Sequence, residues 1–352
     1  MKTAKFSKYI LNFKNPSGTS RGILKTKETF FLEIFEENKK GVGECALFRG
    51  LSFDDVPEYE EKLQWLCNNI NENPEKLKNE LLNFPSIWFG YEQAFLNLNL
   101  PENIYFPSEF NKGKSSIKIN GLIWMGDPDF MQTQIEEKLA QGFDCIKLKI
   151  GVDWNSEYEI LKNLRQKFPA NILELRVDAN GGFTFDEAKI VLQELADLKI
   201  HSIEQPIKAM HPKSQNDKDC FVARNDDRSH MAELCAETPT PIALDEELIG
   251  VVNFEEKKAL LEKIKPQFII LKPALVGGFS GCDEWIFIAE KMKIKWWITS
   301  ALESNIGLNA IAQYTFTKNN TMPQGLGTGG LFTNNLNSAL DLQGDQLSFK
   351  TS

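Results

Sequence analysis

Beyond about residue 113 the chain alternates short apolar runs with stretches in which apolar residues recur every three or four positions. This pattern is typical of parallel βα units, in which an amphipathic helix follows each buried strand. Gly325–Gly330 predicts the end of an eighth strand after seven earlier ones. The seven runs are Ile117–Met125, Cys145–Ile150, Leu173–Val177, His201–Ile203, Pro241–Leu244, Phe268–Leu271 and Trp296–Ser300. We therefore predict an α/β fold, a (β/α)7β TIM-like barrel.

The residues before the barrel have a different pattern. Thr29–Phe35 is rich in strand-forming residues, and Asn15–Gly22 and Gly41–Gly43 carry turn chemistry. From Asp55 to about Leu98 the apolar spacing is helical. An α+β unit should therefore precede the barrel.

The change of pattern falls at the polar stretch Asn111–Ser116. We place the α+β domain at residues 1–112 and the barrel at residues 113–330. A C-terminal segment, residues 331–352, is expected to pack back on the first domain.

One βα interval is longer than its neighbours. Glu204 and Asp245 are 41 positions apart, whereas Asp178 and Glu204 are 26 apart. The surplus lies near His211–His230, which is polar and mixed in charge. We expect an exposed loop there, on the same face as any active site.

Composition excludes several classes of function. The 352 residues include 40 Lys and Arg against 49 Asp and Glu, so no basic surplus exists to bind nucleic acid or an anionic membrane. No apolar stretch approaches the length of a membrane helix or resembles a signal peptide. The six cysteines lack C-x-x-C spacing, which favours reduced thiols and a cytoplasmic protein.

Three predicted strands end in a carboxylate, at Asp178, Glu204 and Asp245. A single carboxylate in such a place is usually a helix N-cap or a turn residue. The C-terminal ends of neighbouring barrel strands converge, however, so three negative charges would share one mouth. Buried carboxylates in such a group need a cation or take up a proton. Oxygen ligands without His or Cys predict Mg²⁺, with Mn²⁺ as the alternative.

Three lysines accompany these acids. Alternation along Cys145–Ile150 puts Lys147 and Lys149 on one face of their strand, and Lys272 ends the sixth strand on the opposite wall. Lysines often protect an edge strand, but a closed barrel has no edge. A divalent cation flanked by lysines suits removal of a proton α to a carboxylate, through an ene-diolate. We expect Lys149 to be the base and Lys147 to lower the pKa of Lys149.

The order of these lysines and acids on strands two to six resembles the enolase superfamily, specifically its muconate-lactonising-enzyme-like subgroup. The resemblance covers nearly the whole chain. Further segments resemble the branch of this subgroup that makes 2-succinylbenzoate in menaquinone biosynthesis. They are Ser17–Arg21, Gly43–Ser52, Ser86–Gly90, Ser300–Ser304 and Gly325–Gly329.

The resemblance implies a hydro-lyase that dehydrates 2-succinyl-6-hydroxy-2,4-cyclohexadiene-1-carboxylate. It implies that Asp178, Glu204 and Asp245 bind Mg²⁺. Lys149 would remove the ring proton and then protonate the departing hydroxide on the same face. Lys272 would stabilise the enolate, partly through a cation–π contact with the ring.

The resemblance also implies that the N-terminal domain caps the barrel mouth, with loops around Ser17–Arg21 and Phe48–Ser52 that close over the substrate. For Arg21 and Arg49, the alternative to substrate contact is a solvated surface charge. The residues expected to bind substrate are Ser17, Arg21, Asn180, Ser300 and Glu303.

Other activities remain open on these residues. N-succinylamino acid racemases and dipeptide epimerases of the subgroup use the same two lysines on opposite faces of the substrate. The intact set disfavours a barrel that only binds metal. Acid-sugar dehydration usually needs a histidine base, and none of His201, His211 and His230 ends strand six or seven. The expected partner is a small carboxylate substrate, and the sequence carries no signal for the oligomeric state.

Overall fold

The structure is a computed structural model that describes residues 1–19, 22–209 and 224–350. It begins with a three-stranded antiparallel sheet followed by three helices, as predicted for an α+β unit. β1 continues into the predicted turn, and its pairing with β2 shifts register between Asn12 and Ser17. The elements are β1 (Thr3–Thr19), β2 (Gly22–Glu36), β3 (Lys39–Cys45), α1 (Tyr59–Asn68), α2 (Pro74–Glu80) and α3 (Pro85–Asn97).

Gly41 and Gly43 lie inside β3 and not in the predicted turn. A Cβ on Gly41 would be 1.9 Å from the carbonyl oxygen of Ala94, and a Cβ on Gly43 would be 2.0 Å from that of Gly90. Helix α3 therefore packs backbone against backbone on β3, which only glycine permits. Turn chemistry and close packing select the same residue, so the sequence alone did not separate them.

Strand β4 (Ser116–Lys118) precedes a sheet of seven parallel strands that lie side by side in chain order. These are β5 (Gly121–Ile123), β6 (Cys145–Lys149), β7 (Glu174–Asp178), β8 (Ser202–Glu204), β9 (Ile242–Leu244), β10 (Phe268–Leu271) and β11 (Lys295–Ile298). The helices are α4 (Pro128–Ala140), α5 (Trp154–Lys167), α6 (Phe185–Asp197), α7 (Arg224–Glu237), α8 (Phe254–Ile264), α9 (Pro273–Val276), α10 (Gly278–Lys291) and α11 (Asn305–Thr317). No helix in the described ranges is long and apolar enough to cross a membrane. The TIM-like barrel is confirmed.

Gln324 and Gly325 close the barrel where an eighth strand would lie. Ile119 bridges Gln324 and Thr299 bridges Gly325, both in the parallel sense. The side-chain oxygen of Gln324 also accepts a hydrogen bond from the backbone of Ile298 at 2.8 Å. A side-chain amide thus replaces part of the ladder that a full eighth strand would supply.

The predicted first barrel strand is in fact two strands. Only β5 joins the barrel, whereas β4 pairs with a C-terminal hairpin of β12 (Leu340–Gln343) and β13 (Gln346–Phe349). Just before this hairpin, Phe332 bridges Phe13 of β1. We propose that the C-terminal segment, residues 331–352, contacts both the barrel and the N-terminal domain.

Part of the loop predicted near His211–His230 is helical. Helix α7 buries Met231, Leu234 and Cys235. These residues form an apolar stripe just beyond His230, so the helix begins inside the polar segment that suggested a loop. His211 lies outside the described residues.

Two carboxylates of the N-terminal domain cap barrel helices. Glu44 of β3 accepts a hydrogen bond from the backbone N–H of Ser304 at 2.9 Å, at the start of α11. Glu92 of α3 accepts one from the backbone N–H of Phe279 at 2.6 Å, near the start of α10. The first N–H groups of a helix have no partner inside the helix and carry partial positive charge. These bonds fix the N-terminal domain on the barrel.

We expect Gly43→Ala to lower the free energy of unfolding by about 3 kcal/mol, because the added methyl group separates α3 from β3. Urea unfolding followed by circular dichroism measures this change. Gly330→Ala is the control, because a Cβ there meets nothing within 4 Å, and its effect should stay within about 0.5 kcal/mol. Equal effects of the two changes would contradict the packing argument.

Candidate active site

The C-terminal ends of strands β6 to β10 bring six charged side chains together. The register pairs Lys149 with Asp178 and Asp178 with Glu204, so these three are lateral neighbours. Asp245 directly follows β9, and Lys272 directly follows β10. We call the whole group the lysine–carboxylate cluster. Its members are Lys147, Lys149, Asp178, Glu204, Asp245 and Lys272, all of them buried or nearly so.

Lys149 is held at the end of β6 by two oxygen atoms. Its Nζ donates a hydrogen bond to Oδ2 of Asp178 at 2.8 Å and another to Oδ1 of Asn180. The amide nitrogen of Asn180 donates in turn to Glu246 at 2.9 Å. Asn180 has a φ of 44°, in the left-handed region. The turn after β7 therefore directs an amide oxygen at Lys149.

The other two lysines connect the acids. Lys147 Nζ donates to Asp178 Oδ2 at 2.9 Å and to Glu204 Oε2 at 2.7 Å. Lys272 Nζ donates to Asp245 Oδ2 and lies 3.8 Å from Glu204 Oε1. Glu204 therefore lies between lysines from opposite walls of the barrel.

The pKa values within the cluster diverge. Burial raises the pKa of Glu204 well above its ordinary value, and the neighbouring charge of Asp178 adds to the effect. Burial acts the same way on Asp178, but Lys147 and Lys149 outweigh it and lower its pKa. Burial opposes the charge of Lys147, but Asp178 and Glu204 raise its pKa. The carboxylates thus favour a charged Lys147, because Asp178 and Glu204 both accept hydrogen bonds from its Nζ.

The three carboxylates of the cluster are the candidate ligands of a metal ion. Among residues 1–19, 22–209 and 224–350, no three His, Cys, Asp or Glu side chains form a ready-made metal site. Lysine ammonium groups lie between the carboxylates instead. Oxygen Oε1 of Glu204 is buried and has no hydrogen-bond partner in the described part of the chain. The carboxylates of the lysine–carboxylate cluster are the type of ligand that a hard divalent cation prefers. The chemistry of these three side chains therefore fits such an ion.

The cluster faces a cavity between the barrel and the N-terminal domain. The cavity holds about 710 Å³, counted to its open mouth. Lys147, Lys149 and Lys272 form its charged part, and the neutral amide of Asn180 lies beside them. Its remaining walls consist of Leu24, Phe48, Leu51, Asn120, Leu122, Trp124, Thr299, Ser300, Ala301, Leu302, Gly325, Gly327 and Thr328. The size and the mixed lining are typical of a small-molecule site.

Of the residues predicted to bind substrate, some line the cavity and one lies behind its wall. Asn180 and Ser300 line the cavity. Glu303 is fully buried and does not line it; its Oε2 accepts a hydrogen bond from the Ser300 hydroxyl at 2.6 Å. Contrary to the prediction, Glu303 is therefore behind the wall, because the left-handed turn at Leu302 folds it inward.

Of Ser17, Arg21 and Arg49, only Arg49 has a described side chain. Arg21 lies outside the described residues, and only the backbone of Ser17 is described. Arg49 forms ion pairs with Glu28 and Asp55, and 45% of its side chain is exposed. Of the two interpretations of Arg49, the surface charge is the one that the structure supports.

Sequence reasoning did not single out several wall residues. Trp124 directly follows β5, and Leu122 lies within that strand. Thr328 lies in a glycine-rich segment, and its hydroxyl group is the one feature there that could have indicated a residue facing the cavity. An apolar residue at a strand end has no distinctive chemistry, so its place in the cavity wall is visible only in the folded structure.

Comparisons with known proteins agree with this geometry. Residues 131–217 and 222–338 match the family described as enolase C-terminal domain-like. An o-succinylbenzoate synthase from Desulfotalea psychrophila is 42% identical over 370 aligned positions, which cover 96% of both chains. The crystal structure of MenC from the same organism matches with a TM-score of 0.84 and 38% identity, over 99% of both chains.

More distant relatives have other activities. An N-succinylamino acid racemase from Thermus thermophilus is 27% identical over 82% of this chain and 75% of its own. The structure of an L-Ala-D/L-Glu epimerase from Bacillus subtilis matches with a TM-score of 0.80 at 19% identity, over 99% and 95% of the two chains. At that identity the likeness establishes the fold alone.

We expect Asp178→Asn to lower the free energy of unfolding by about 3 kcal/mol, because two buried ammonium groups lose a shared charged partner. Since the pKa of Asp178 is lowered, its contribution is present at neutral pH. It is lost as the pH falls below about 4. Urea unfolding at pH 7.5 measures the difference.

Asp144→Asn is the matched control. Asp144 pairs with Lys118 at the surface, where 51% of its side chain is exposed, and its loss should cost less than about 1 kcal/mol. Similar effects of both changes would show that Asp178 does not hold the lysines.

Proposed function

The chain belongs to the enolase C-terminal domain-like family, and on that premise we propose that it has o-succinylbenzoate synthase activity. As a carbon–oxygen lyase it removes water from 2-succinyl-6-hydroxy-2,4-cyclohexadiene-1-carboxylate and forms 2-succinylbenzoate, a step of menaquinone biosynthesis. The similarity to the Desulfotalea enzyme over nearly the full length of both chains carries this conclusion.

The lysine–carboxylate cluster alone is compatible with a second activity. Lys149 and Lys272 both line the cavity, so they also suit proton transfer between two faces of an amino acid derivative. The racemase and epimerase relatives are much less similar to this chain. Dehydration is therefore the main proposal and racemisation the alternative.

Lys149 is proposed as the base. In its neutral form it takes the proton from the ring carbon next to the carboxylate. It then returns this proton to the hydroxyl group that leaves from the same face. One proton and one hydroxide leave as water, the ring becomes aromatic and the lysine is regenerated. Asp178 and Asn180 support this role by fixing the amine beside the cavity.

Lys272 and Lys147 are proposed to act through charge. Lys272 lines the cavity on the wall opposite β6. Its ammonium group can stabilise the negative charge that spreads over the ring as the proton leaves. Lys147 lies between Asp178 and Glu204, where it keeps both carboxylates compatible with burial.

Asp178, Glu204 and Asp245 are the residues that would hold Mg²⁺, with Mn²⁺ as the alternative. When bound, the ion neutralises the substrate carboxylate and stabilises charge that develops beside it. The unpartnered oxygen of Glu204 and the all-carboxylate donor set support this assignment.

The apolar walls suit the carbon skeleton of the proposed substrate. Leu51 approaches from the N-terminal domain, while Leu122, Trp124 and Leu302 belong to the barrel. Their contact with the ring would exclude water from the carbon that loses the proton. In a drier site the charges of the lysines act more strongly.

A side-by-side assay tests the activity. We expect dehydration of the cyclohexadiene carboxylate to exceed racemisation of N-succinylamino acids by about 100-fold or more in kcat/KM, which corresponds to about 2.7 kcal/mol. EDTA should abolish dehydration and added Mg²⁺ should restore it. Comparable turnover of both substrates would contradict the assignment as an o-succinylbenzoate synthase. Full activity in EDTA would show that the reaction needs no metal ion.

Lys149→Ala should reduce kcat for dehydration by about 1,000-fold or more, because no other base replaces it. The far-ultraviolet circular dichroism spectrum should stay unchanged. Lys162→Ala is the control, since this lysine is exposed on α5 and pairs with Glu159. Substantial remaining turnover in Lys149→Ala would show that a group other than Lys149 is the base.

A further inference from the structure

Lys27 is a buried lysine without a hydrogen-bond partner among the described residues. It lies on β2, opposite Leu11 of β1, and only 5% of its surface is exposed. Leu11 packs in a cluster with Leu302 of the barrel. An ammonium group in such an apolar interface is strongly destabilising unless a negative charge offsets it.

Two buried carboxylates, Glu44 and Glu303, act on the charge of Lys27. Glu303 directly follows Leu302, which packs in one cluster with Leu11 opposite Lys27, although Lys27 Nζ makes no hydrogen bond among the described residues. Glu44 already uses both oxygens: Oε1 accepts from Thr29 and Oε2 accepts from the Ser304 hydroxyl. Glu303 uses only Oε2, and its Oε1 is buried with no hydrogen-bond partner in the described ranges. Glu303 is thus the carboxylate that most lacks a compensating group.

The two groups affect each other in the expected directions. Burial lowers the pKa of Lys27, and the charges of Glu44 and Glu303 oppose that shift. Burial raises the pKa of Glu303, and the charge of Lys27 opposes it. Opposite charges interact over longer distances in a buried interface than in water.

We propose that Lys27 is a positioning residue of the reaction cavity, whose charge offsets that of the buried Glu303 carboxylate without a hydrogen bond to it, so that Glu303 can fix the cavity wall at Ser300. The inference rests on the proposed function, because the wall belongs to that site. It assigns the N-terminal domain a role inside the barrel wall, beyond covering the mouth.

The contacts of Ser300 show what this charge controls. The Ser300 hydroxyl donates to Glu303 and accepts from the Leu302 N–H at 3.0 Å and from the Thr328 hydroxyl at 2.8 Å. Leu302 has a φ of 63°, which a leucine adopts only when its surroundings hold it. Ser300, Leu302 and Thr328 all line the cavity. Loss of the charge at Lys27 should therefore loosen three wall residues together.

The effect should fall on substrate binding more than on the chemical step. The wall at Ser300 is built by residues that make no hydrogen bond with Lys149 or Lys272 in the described structure. A displaced wall weakens contact with substrate and transition state equally, which raises KM and leaves kcat nearly unchanged.

Steady-state dehydration kinetics of Lys27→Met test the proposal. We expect KM to rise about tenfold and kcat to stay within about threefold of the wild-type value. Lys5→Met is the matched control, because this lysine of the same sheet is 67% exposed, and its kinetics should not change.

The double variant Lys27→Met/Glu303→Gln separates positioning from mere stability. A neutral glutamine needs no compensating cation and still accepts from Ser300, so most of the lost KM should return. Unchanged KM in Lys27→Met overturns the proposal, as does a KM that stays equally high in the double variant. If Lys27→Met does not fold, a folded and active double variant supports the pairing, and an unfolded one overturns it. An inactive wild-type chain would instead count against the proposed function.

Discussion

The burial of six charged side chains at one end of the barrel is the constraint on which the rest of the structure depends. Each carboxylate of the lysine–carboxylate cluster would be unstable there alone, and each lysine likewise. Strand register solves this problem, because it places Lys149, Asp178 and Glu204 side by side. Three lysines then face three acidic side chains, and Oε1 of Glu204 makes no hydrogen bond within the described ranges. A chemically reactive site can therefore be folded before substrate arrives.

The N-terminal domain completes this site from above. Glycines in β3 let α3 pack closely, and carboxylates from both elements then cap α10 and α11. The domain also contributes Leu24, Phe48 and Leu51 to the cavity. Because helix N-termini attract negative charge, the docking is specific in position and not only apolar. The cavity belongs to the interface, and its shape depends on how the two parts meet.

Chemistry and specificity come from different parts of the structure. In the proposed mechanism the cluster supplies proton transfer and charge stabilisation that dehydratases, racemases and epimerases of one fold can all use. We propose that the cavity walls decide which carbon skeleton is presented to the lysines. Trp124, Leu302 and Ser300 line the cavity, although none of them belongs to the cluster. Sequence similarity over the full chain therefore carries more weight for the activity than the strand-end residues alone.

The sequence by itself predicted the barrel and the six members of the cluster, together with the metal-dependent proton abstraction that is proposed for them. It could do so because strand periodicity and the position of charges at strand ends are local properties. Only the tertiary structure decided that Glu303 lies behind the wall, that Gly41 and Gly43 serve close packing, and that the segment ending at His230 is partly helical. It alone placed Lys27 against the barrel. These features depend on contacts between residues far apart in the chain, and no local pattern records which surface a buried side chain will meet.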